Sequence, residues 1–559
     1  MLVSGSTDRN GSLGFGLSMP VRTGTGPLTP SPSRRWCAGK SRPGWMLGRG
    51  RRRRSAVWAA GILRSCRRWS GFAADTTLQA ARARVGDRWA QLPADPVGPI
   101  RLLAVLSAAK FAGWLSRVLR RGSGDSLPGV VGDYLLPQLG GILARQLTRG
   151  VIIVTGTNGK TTTTKLLGEM LTLRGEEVVS NRSGSNMKQG IVSSLIAAAG
   201  VRGALRGSPT IGLFEVDEAT VPLVVEAIGA TDIVVTNLFR DQLDRFGEVD
   251  AIATTVGKAI QRTNARVYLN ADDPTVASLS RFVAPGRLVY FGLESPADGV
   301  AALKAAVDSA HCPRCDATLR FSRTFYSHLG HYQCPRGDFA RPGTTVAVSG
   351  IERADAAGSV FTVQTTGHCY RAEMSLGGVY NIYNALAAVT VAHGVGVPIG
   401  TALRSLEAAK PAFGRVEEVD WDGRLLQLIL VKNPAGFTQV LDTFLRSRTG
   451  TNILIAVNDL EADGRDVSWL WDVPFECLAD RRHNITAAGT RAGDVAVRLH
   501  YAGIESTIIE SIPEALEKLH RRTGPGAQGY LLTTYTAMLS ARRRLGQAVQ
   551  MSSIGSVNR

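Results

Sequence analysis

Short apolar runs alternate with longer amphipathic stretches along most of the chain beyond residue 150. Five runs have the length and β-branched composition of buried strands: 151–154, 211–216, 232–237, 267–270 and 288–291. Helical patterns lie between them, as at 162–174 and 251–262. Strands that alternate with helices predict an α/β domain with a parallel sheet covered on both faces. We assign this domain to residues 150–410.

A second, smaller α/β domain is predicted at residues 415–559. Its candidate strands are 425–431, 453–457 and 529–533. A helical pattern at 381–394 lies near the end of the first domain. The segment Ala412-Phe-Gly-Arg-Val-Glu417 that follows is typical of a linker between the two domains. The chain therefore predicts two α/β domains in series.

Residues 1–95 have a different composition, rich in Gly, Ser, Pro and Arg, with the run Arg51–Arg54. Such a segment cannot bury a core, so we predict a disordered basic extension, although a start codon assigned too far upstream would give the same composition. Residues 96–149 are a predicted helical segment, in which Ile100–Arg121 has apolar residues at helical spacing. That helix either packs on the following domain or places Trp114 in the interface of an anionic membrane.

The net charge of +19 does not predict a nucleic-acid partner, because the charge is unevenly distributed. Residues 1–90 hold 17 Lys and Arg against 3 Asp and Glu, while the remainder holds 48 against 43. With nearly equal numbers of positive and negative residues, the chain beyond residue 90 lacks the basic stripe of a nucleic-acid-binding surface. No apolar run reaches the ~18 residues of a spanning helix and no signal-peptide pattern is convincing. We expect a cytoplasmic protein, or one peripheral to the inner membrane face.

A glycine loop follows the first apolar run, with the sequence Gly156-Thr157-Asn158-Gly159-Lys160-Thr161. Its backbone amides and the helix that begins at its end suit phosphate oxygens, and Lys160 offers a positive charge to the outer phosphates. Thr161 and Glu215, which follows a second apolar run, offer oxygen ligands for Mg²⁺. The loop, with Thr162 after it, predicts a site for ATP and Mg²⁺ in which Lys160 is also a catalytic residue.

The order of further motifs resembles the central domain of the Mur ligases, which join amino acids to a peptidoglycan precursor. The motifs are the glycine loop, Glu215, Asn237-x₃-Asp241-x₂-Asp244 and Asn270-Ala-Asp-Asp-Pro274. A later segment with Asn381 and Asn384 is similar to the segment of these ligases that lies near the adenine of ATP. The resemblance therefore assigns both residues to the ATP site. The resemblance covers about 150–559 and implies a Mur-ligase-like ATPase domain followed by the smaller α/β domain.

Several departures from the usual pattern indicate a branch of the family that amidates a carboxyl group. Gln242 replaces a usual His, Leu430–Phe437 replaces a usual Asp-Tyr-Ala-His-Asn-Pro, and Asn458–Asp472 carries a distinctive run of aspartates. This closer resemblance implies ATP-dependent amidation of the α-carboxyl of D-glutamate in the lipid II stem peptide. The product is D-isoglutamine, and the expected intermediate is an acyl phosphate.

Nitrogen supply is a further implication of the same resemblance. No cysteine here has a partnered His pattern of the kind a glutaminase needs, so ammonia is expected from a GatD-like glutamine amidotransferase subunit. The ligase would lend an aspartate to that partner's triad, with Asp466 and Asp472 favoured over Asp463. Two alternatives remain open at this point: a single-chain Mur-type amino-acid ligase, and a non-catalytic nucleotide-binding scaffold.

Three cysteines in an apparent insertion at residues 308–345 have the spacing of metal ligands rather than of disulfides. Cys312-Pro-Arg-Cys315 is followed by Cys334-Pro-Arg-Gly337, which is the pattern of a four-cysteine zinc ribbon without its last ligand. His331 or Asp338 could complete a tetrahedron, or packing alone could hold the module. We expect a structural zinc, because a closed site leaves no position for substrate.

Overall fold

The structure is a computed structural model that describes residues 98–118, 125–181, 184–205, 210–240, 249–294, 309–410 and 416–548. The predicted disordered extension at 1–95 lies outside the described residues. So do Asp241, Gln242 and Asp244 and most of the predicted linker.

Helices and strands alternate along the described residues. The helices are α1 (Pro99–Val118), α2 (Leu127–Leu135), α3 (Leu139–Ala144), α4 (Lys160–Leu173), α5 (Lys188–Ala198), α6 (Val221–Ile228), α7 (Val249–Gln261), α8 (Pro274–Ser278), α9 (Val379–Gly394), α10 (Ile399–Glu407), α11 (Pro434–Val440), α12 (Ala492–Tyr501), α13 (Ile512–Arg522) and α14 (Tyr535–Ala548). The strands are β1 (Val151–Thr155), β2 (Glu177–Ser180), β3 (Thr210–Glu215), β4 (Asp232–Val235), β5 (Arg266–Asn270), β6 (Leu288–Leu293), β7 (Arg320–Tyr326), β8 (Leu329–Gln333), β9 (Val346–Asp355), β10 (Gly358–Thr365), β11 (His368–Met374), β12 (Val416–Trp421), β13 (Arg424–Leu430), β14 (Asn452–Ala456), β15 (Asn484–Ala488), β16 (Ser506–Ile508) and β17 (Gln528–Thr533).

The larger sheet has nine strands, in the order β11-β10-β9-β6-β5-β4-β1-β3-β2. All neighbours from β2 to β9 pair in parallel, which confirms the predicted parallel sheet. β10 and β11 extend the sheet through antiparallel pairs, which the apolar pattern did not predict. The outermost strand, β11, alternates buried and exposed residues over part of its length, so it lacks the continuous apolar run that marks the central strands.

Alternate residues of β1 belong to two different cores, which explains its uninterrupted apolar sequence. Ile152 and Val154 share one core with α4 and α9, while Val151 and Ile153 share the other with α5, α6 and α7. All four side chains are at most 1% exposed. Burial of each contributes about 1.5–3 kcal/mol. The glycine loop therefore starts from a strand that is fixed on both faces.

The amphipathic helix predicted at Ile100–Arg121 corresponds to α1. Val105, Leu106 and Ala109 are buried in the core that α1 shares with α5, and α1 also packs on α2. On another part of its surface, Phe111 and Trp114 stack with ring centroids 5.6 Å apart, and both are more than half exposed. The helix thus packs on the following domain and also presents aromatic side chains. No helix within the described ranges is long and apolar enough to cross a membrane.

The smaller sheet confirms the predicted second α/β unit. Its six strands follow the order β12-β13-β17-β14-β15-β16. The strands from β13 to β16 pair in parallel, and β12 adds an antiparallel edge. Separate apolar clusters cover its two faces. The carboxyl ends of β13 and β14 carry the two segments, Leu430–Phe437 and Asn458–Asp472, in which the sequence departs from ordinary Mur ligases.

The cysteine-bearing module lies between β6 and β9. Its hairpin pairs β7 with β8 in an antiparallel two-stranded sheet. A small apolar cluster joins it to the central domain through Ala277 of α8, with Tyr332 and Phe339 among its members. The Tyr332 hydroxyl donates to the carbonyl of Ala271 at 3.1 Å, and the Gly330 amide donates to the carbonyl of Asp272 at 2.9 Å. The module is therefore anchored on the Asn-Ala-Asp-Asp-Pro segment.

Candidate nucleotide site and cysteine cluster

The glycine loop is held in place by the residues that follow β4. The amide of Thr157 donates to the carbonyl of Asn237 at 2.9 Å, and the amide of Asn158 donates to its side-chain oxygen at 2.8 Å. The Asn237 amide group and the Thr236 hydroxyl both donate to the Asn158 carbonyl, at 3.0 and 2.8 Å. These bonds fix the loop before any phosphate binds. Asn237 opens the Mur-like Asn-x₃-Asp motif, so its sequence position gave a signal for this role.

Two asparagines of α9 lie beside the loop. Gly159 has φ +87, and a Cβ there would collide with the side-chain oxygen of Asn384. The Asn384 amide group donates to the side-chain oxygen of Asn381 at 3.2 Å, and that of Asn381 donates to the Gly377 carbonyl at 2.8 Å. The structure thus brings Asn381 and Asn384 together with the loop. Only glycine fits at position 159, because a side chain there would collide with Asn384. Such a requirement for glycine is typical of loops whose backbone binds a phosphate group.

Lys160 is buried among carboxylates at the amino end of α4. Its ammonium donates to the Gly156 carbonyl at 2.7 Å and pairs with Glu218 at 3.1 Å. Burial lowers the pKa of Lys160, but the charges of Glu218, Glu215 and Asp217 outweigh it, so the pKa lies above its ordinary value. Lys160 is therefore fully charged at neutral pH. Glu218, three residues beyond the predicted Glu215, is the partner that the strand-end argument missed.

The oxygen atoms predicted to bind Mg²⁺ are adjacent. The Thr161 hydroxyl donates to Glu215 at 3.1 Å, next to the charged Lys160. The backbone of Glu215 is held from both sides by Asn181, which accepts from its amide and donates to its carbonyl, each at 2.9 Å. A hydroxyl and a carboxylate are hard oxygen ligands, so this pair fits the preference of Mg²⁺. Thr162, also predicted for the site, is buried behind Thr161 in the first turn of α4.

The smaller domain also contributes to the loop. Asn433 caps the amino end of α11 by accepting from the Gly436 amide at 2.9 Å, and its amide group donates to the side chain of Asn158 at 3.0 Å. Burial alone would raise the pKa of Glu218. The charges of Lys160 and of the neighbouring Lys432 outweigh burial and hold this pKa below its ordinary value. A second lysine therefore acts on the carboxylates around Lys160. The sequence marked Lys432 only as a departure from the family pattern.

The three aspartates proposed for the partner's triad have different surroundings. Asp463 is buried and accepts from the amide of Thr536, at 2.8 Å, and from its hydroxyl, in the first turn of α14. Asp472 pairs with Arg240 of the central domain at 2.8 Å. Asp466 accepts from the Ser468 amide at 2.8 Å through one oxygen. Its other oxygen makes no hydrogen bond within the described part of the chain. The structure does not gather the three into one site.

The three cysteine thiols do converge. Cys312, Cys315 and Cys334 lie with their sulfur atoms within 4.8 Å of one another, and Cys315 is 3.5 Å from Cys334. Three thiols at such distances suit a tetrahedral zinc site. The pKa of the Cys315 thiol is raised to about 12, and the largest cause is its interaction with the Asp338 carboxyl group. His331 turns elsewhere, with its Nε2 2.7 Å from the carbonyl of Leu293.

The Asn-Ala-Asp-Asp-Pro segment connects these parts. Asp273 caps α8 through the amides of Thr275 and Val276, and its other oxygen accepts from the Leu238 amide at 2.8 Å. Asp272 pairs with Arg341 of the cysteine module at 2.6 Å and accepts from the Tyr383 hydroxyl of α9 at 2.7 Å. Both aspartates therefore have structural partners, and they link the module, the sheet and the helix that carries Asn381 and Asn384.

A phosphate loop on this sheet, completed by a second α/β unit, defines the Mur ligase class. Solved structures with this fold include a pseudomurein peptide ligase type C from Methanothermus fervidus, at TM-score 0.56 and 21% identity, covering 73% of this chain and 80% of that one. MurF from Acinetobacter baumannii has TM-score 0.56 and 18% identity, covering 74% and 80%. Residues 154–319 match the family model of the Mur ligase middle domain.

A more specific relationship comes from sequence. Residues 430–538 match the family model MurT ligase C-terminal. The subunit MurT of lipid II isoglutaminyl synthase (glutamine-hydrolyzing) from Staphylococcus aureus strain COL is 32% identical over 413 residues, which cover 73% of this chain and 90% of that protein. Its counterpart from Streptococcus pneumoniae is 31% identical, covering 76% and 93%. The chain belongs to the MurT family of ligase subunits.

Proposed function

We propose that this chain amidates the α-carboxyl of D-glutamate in the lipid II stem peptide, at the expense of ATP and with ammonia from a GatD-like glutaminase subunit. The observation that carries the proposal is the contact between the phosphate loop and the domain that matches the MurT model. Asn433 of that domain binds Asn158 of the loop, and Lys432 acts on the carboxylates around Lys160. A substrate carboxylate held by the second domain would therefore meet the phosphates at the loop.

The chemistry must overcome the resistance of a carboxylate to attack by ammonia. A carboxylate oxygen attacks the γ-phosphorus of ATP, and ADP leaves. The resulting acyl phosphate has a good leaving group. Ammonia attacks the acyl carbon and loses a proton, and inorganic phosphate departs with one former carboxylate oxygen. The products are the amide, ADP and phosphate, which balances atoms and charge.

Residues of the loop stabilise the charge that moves in the first step. Lys160, kept charged by its carboxylate neighbours, would exchange Glu218 for the phosphoryl oxygens. The amides of Thr157 and Asn158 donate to Asn237 and so hold the loop backbone in place, which leaves the remaining amides of the loop preorganised for phosphate. Thr161 and Glu215 would hold Mg²⁺, which supplies positive charge to the phosphate oxygens. Asn381 and Asn384 would contact the nucleotide beside Gly159.

The aspartate lent to the glutaminase is best assigned to Asp466. A triad aspartate must keep an oxygen for the histidine of the partner. Both oxygens of Asp463 bind Thr536, and Asp472 pairs with Arg240. Asp466 has an oxygen without a hydrogen bond in the described part of the chain, and it is partly exposed. Among the three candidates it could reach a partner chain with the least rearrangement.

The substrate suggests where the protein works. Lipid II carries a lipid anchor, so its amidation would occur at the inner membrane face. Phe111 and Trp114 on α1 present an exposed aromatic pair of the kind that enters a lipid interface. We propose a cytoplasmic protein that meets its substrate at that surface.

The nitrogen source tests the proposal. The chain alone, given lipid II and ATP, should form amidated lipid II with a high ammonium concentration but not with glutamine, and addition of the glutaminase subunit should restore use of glutamine. Incorporation of a free amino acid by the chain alone would favour the single-chain amino-acid ligase instead. ATP binding without turnover, even with the glutaminase and ammonium present, would indicate a non-catalytic scaffold.

A further inference from the structure

Helix α1 is apolar on two opposite faces, and only one of them is packed against the described part of the chain. Val105, Leu106 and Ala109 on the first face are buried in the central domain. The second face carries large apolar side chains that are all exposed: Ile100, Leu103, Phe111, Trp114, Leu115 and Val118. Residues three or four positions apart lie on the same side of a helix, so these side chains form one row along α1. From its first to its last member the row is about 27 Å long, at the ~1.5 Å rise of each residue.

The helix that carries this row is firmly attached to the domain. The Lys110 ammonium donates to the carbonyl of Ala199, at the end of α5, at 2.5 Å. Helix α2 packs closely on α1, since a Cβ at Gly113 would lie 2.7 Å from the Cγ of Pro128. The exposed row therefore has a fixed position on the surface of the central domain.

The charges of α1 all have the same sign. The helix contains Arg101, Lys110 and Arg117 and no acidic residue, and Arg101 and Arg117 are exposed next to the two ends of the row. An exposed apolar row with basic neighbours is typical of helices that lie in a membrane interface. The affinity of such helices combines burial of apolar area with attraction to anionic lipids. The row and its charges are therefore complementary to an anionic lipid surface.

The same features disfavour other occupants of the row. Residues 1–90 hold 17 Lys and Arg against 3 Asp and Glu, so this segment has the same sign of charge as α1. A second copy of the chain would place one basic helix against another, and like charges brought together weaken an interface. Nucleic acid would satisfy the charges through its phosphates but leave the apolar row without an apolar partner. Among these occupants, a lipid bilayer alone offers both an apolar layer and anionic groups.

We propose that the exposed face of α1 docks on an anionic lipid bilayer, with the helix axis parallel to the membrane plane. Phe111 and Trp114 insert below the headgroups, while Arg101 and Arg117 extend to the lipid phosphates. The proposal rests on the proposed function in one respect, because it states how the chain reaches a lipid-anchored substrate. Docking itself requires neither that substrate nor ATP.

Vesicle co-sedimentation measures docking without the enzyme reaction. The full chain is mixed with vesicles of phosphatidylcholine and phosphatidylglycerol that contain no lipid II. The wild type should bind, and the double variant Phe111→Gln/Trp114→Gln should bind on the order of 100-fold more weakly, about 10-fold for each ring withdrawn from the interface. Arg117→Gln should lose about 5-fold in affinity for these vesicles, because one basic residue near an anionic surface contributes about that factor. On vesicles of phosphatidylcholine alone, Arg117→Gln should bind as the wild type does.

A matched double variant serves as the control. Leu173→Gln/Leu223→Gln removes two apolar side chains that are more than half exposed on α4 and α6 of the same domain, and it should bind vesicles as the wild type does. All variants retain residues 1–90, so differences between them report on the substituted positions. Circular dichroism verifies that each variant folds. The Phe111→Gln/Trp114→Gln variant should also amidate detergent-dispersed lipid II at the wild-type rate.

Three results would overturn the docking proposal. The first is equal vesicle binding by the wild type and the Phe111→Gln/Trp114→Gln variant, and the second is an equal loss of binding in the control variant. The third is a wild-type dimer, detected by light scattering, that the Phe111→Gln/Trp114→Gln variant converts to a monomer, because the face would then be an interface between copies. Vesicle binding that depends on the two rings, in a chain that forms no amide, would instead contradict the proposed function alone.

Discussion

The phosphate loop and the aspartate segment Asn458–Asp472 each follow the carboxyl end of a buried parallel strand, yet they are organised in opposite ways. Around the loop, Lys160, Thr161 and the carboxylates Glu215 and Glu218 converge within hydrogen-bonding distance. In the aspartate segment, the carboxylates of Asp463, Asp466 and Asp472 have three different partners. The side chains of the loop thus contact one another, whereas the three aspartates do not, and we propose that only Asp466 is offered to a partner chain.

The largest effect expected from this contrast is at Lys160. Lys160→Ala removes the charge that we propose meets the transferring phosphoryl group, so amidation should fall by on the order of 10³–10⁵-fold with either nitrogen source. Lys165→Ala is the matched control, because Lys165 lies on the same helix and donates to the Lys410 carbonyl away from the loop. Steady-state amidation measures both, with circular dichroism to verify folding. Near wild-type amidation by the Lys160 variant would contradict the assignment.

The aspartate segment should respond to the nitrogen source, unlike the loop. Asp466→Asn should lower glutamine-driven amidation by about 10²–10⁴-fold, because the partner's histidine loses its orientation. Ammonium-driven amidation should survive, since formation of the acyl phosphate is untouched. Asp463→Ala should instead lower stability, by roughly 0.5–2 kcal/mol, because Asp463 satisfies the first turn of α14.

Assays of Asp463→Asn, Asp466→Asn and Asp472→Asn with both nitrogen sources and the glutaminase present decide which carboxylate is shared. A selective loss with Asp472→Asn, or with Asp463→Asn at unchanged stability, would move the role to that residue. If all three lose both activities equally, or none loses either, the shared triad is wrong.

The fit of the loop against α9 predicts an intermediate effect. Gly159→Ala adds a Cβ that collides with Asn384, so a displaced loop should cost about 10²-fold in kcat/KM for ATP. Gly175→Ala is a close control, because Gly175 has φ +92 with open space around its Cβ. Both variants carry the strain of the left-handed conformation, about 1–2 kcal/mol. Equal kcat/KM in the two variants would show that the collision has no consequence.

The smallest effect concerns the link between the two domains. Lys432 and Lys160 hold the pKa of Glu218 below its ordinary value, so the charge of Glu218 stabilises the fold above the ordinary carboxyl pKa. That contribution disappears as the pH falls through the folded pKa. Lys432→Met should therefore begin to lose stability at a higher pH than the wild type. In that pH range its unfolding free energy should be lower than that of the wild type by about 0.2–1 kcal/mol.

Thermal unfolding between about pH 7 and 3, where carboxyl groups titrate, measures this shift. Lys410→Met, at an exposed position, is the control. Superimposable acid profiles for the wild type and Lys432→Met would mean that Lys432 does not act on Glu218.

The same contrast explains what the sequence could and could not predict. The loop is specified by its own glycines, its lysine and the strand before it, so a contiguous pattern identified it. The antiparallel strands β10 and β11, the pair between Lys160 and Glu218 and the contact between Asn158 and Asn433 depend on residues brought together only by folding. Glu218 lies only three residues beyond Glu215 in the sequence, but adjacency to the strand favours Glu215. Backbone-encoded sites are local in sequence, whereas side-chain clusters are not.

The most direct test of the account follows one oxygen atom. Lipid II labelled with ¹⁸O in the α-carboxyl of D-glutamate is amidated by the chain with its glutaminase, ATP and glutamine, and the released phosphate is analysed by mass spectrometry. If the carboxylate attacks ATP to form an acyl phosphate, each phosphate released should carry one labelled oxygen from the carboxyl group. Amidation accompanied by unlabelled phosphate, or by label in AMP, would contradict the proposed activation of the carboxyl group.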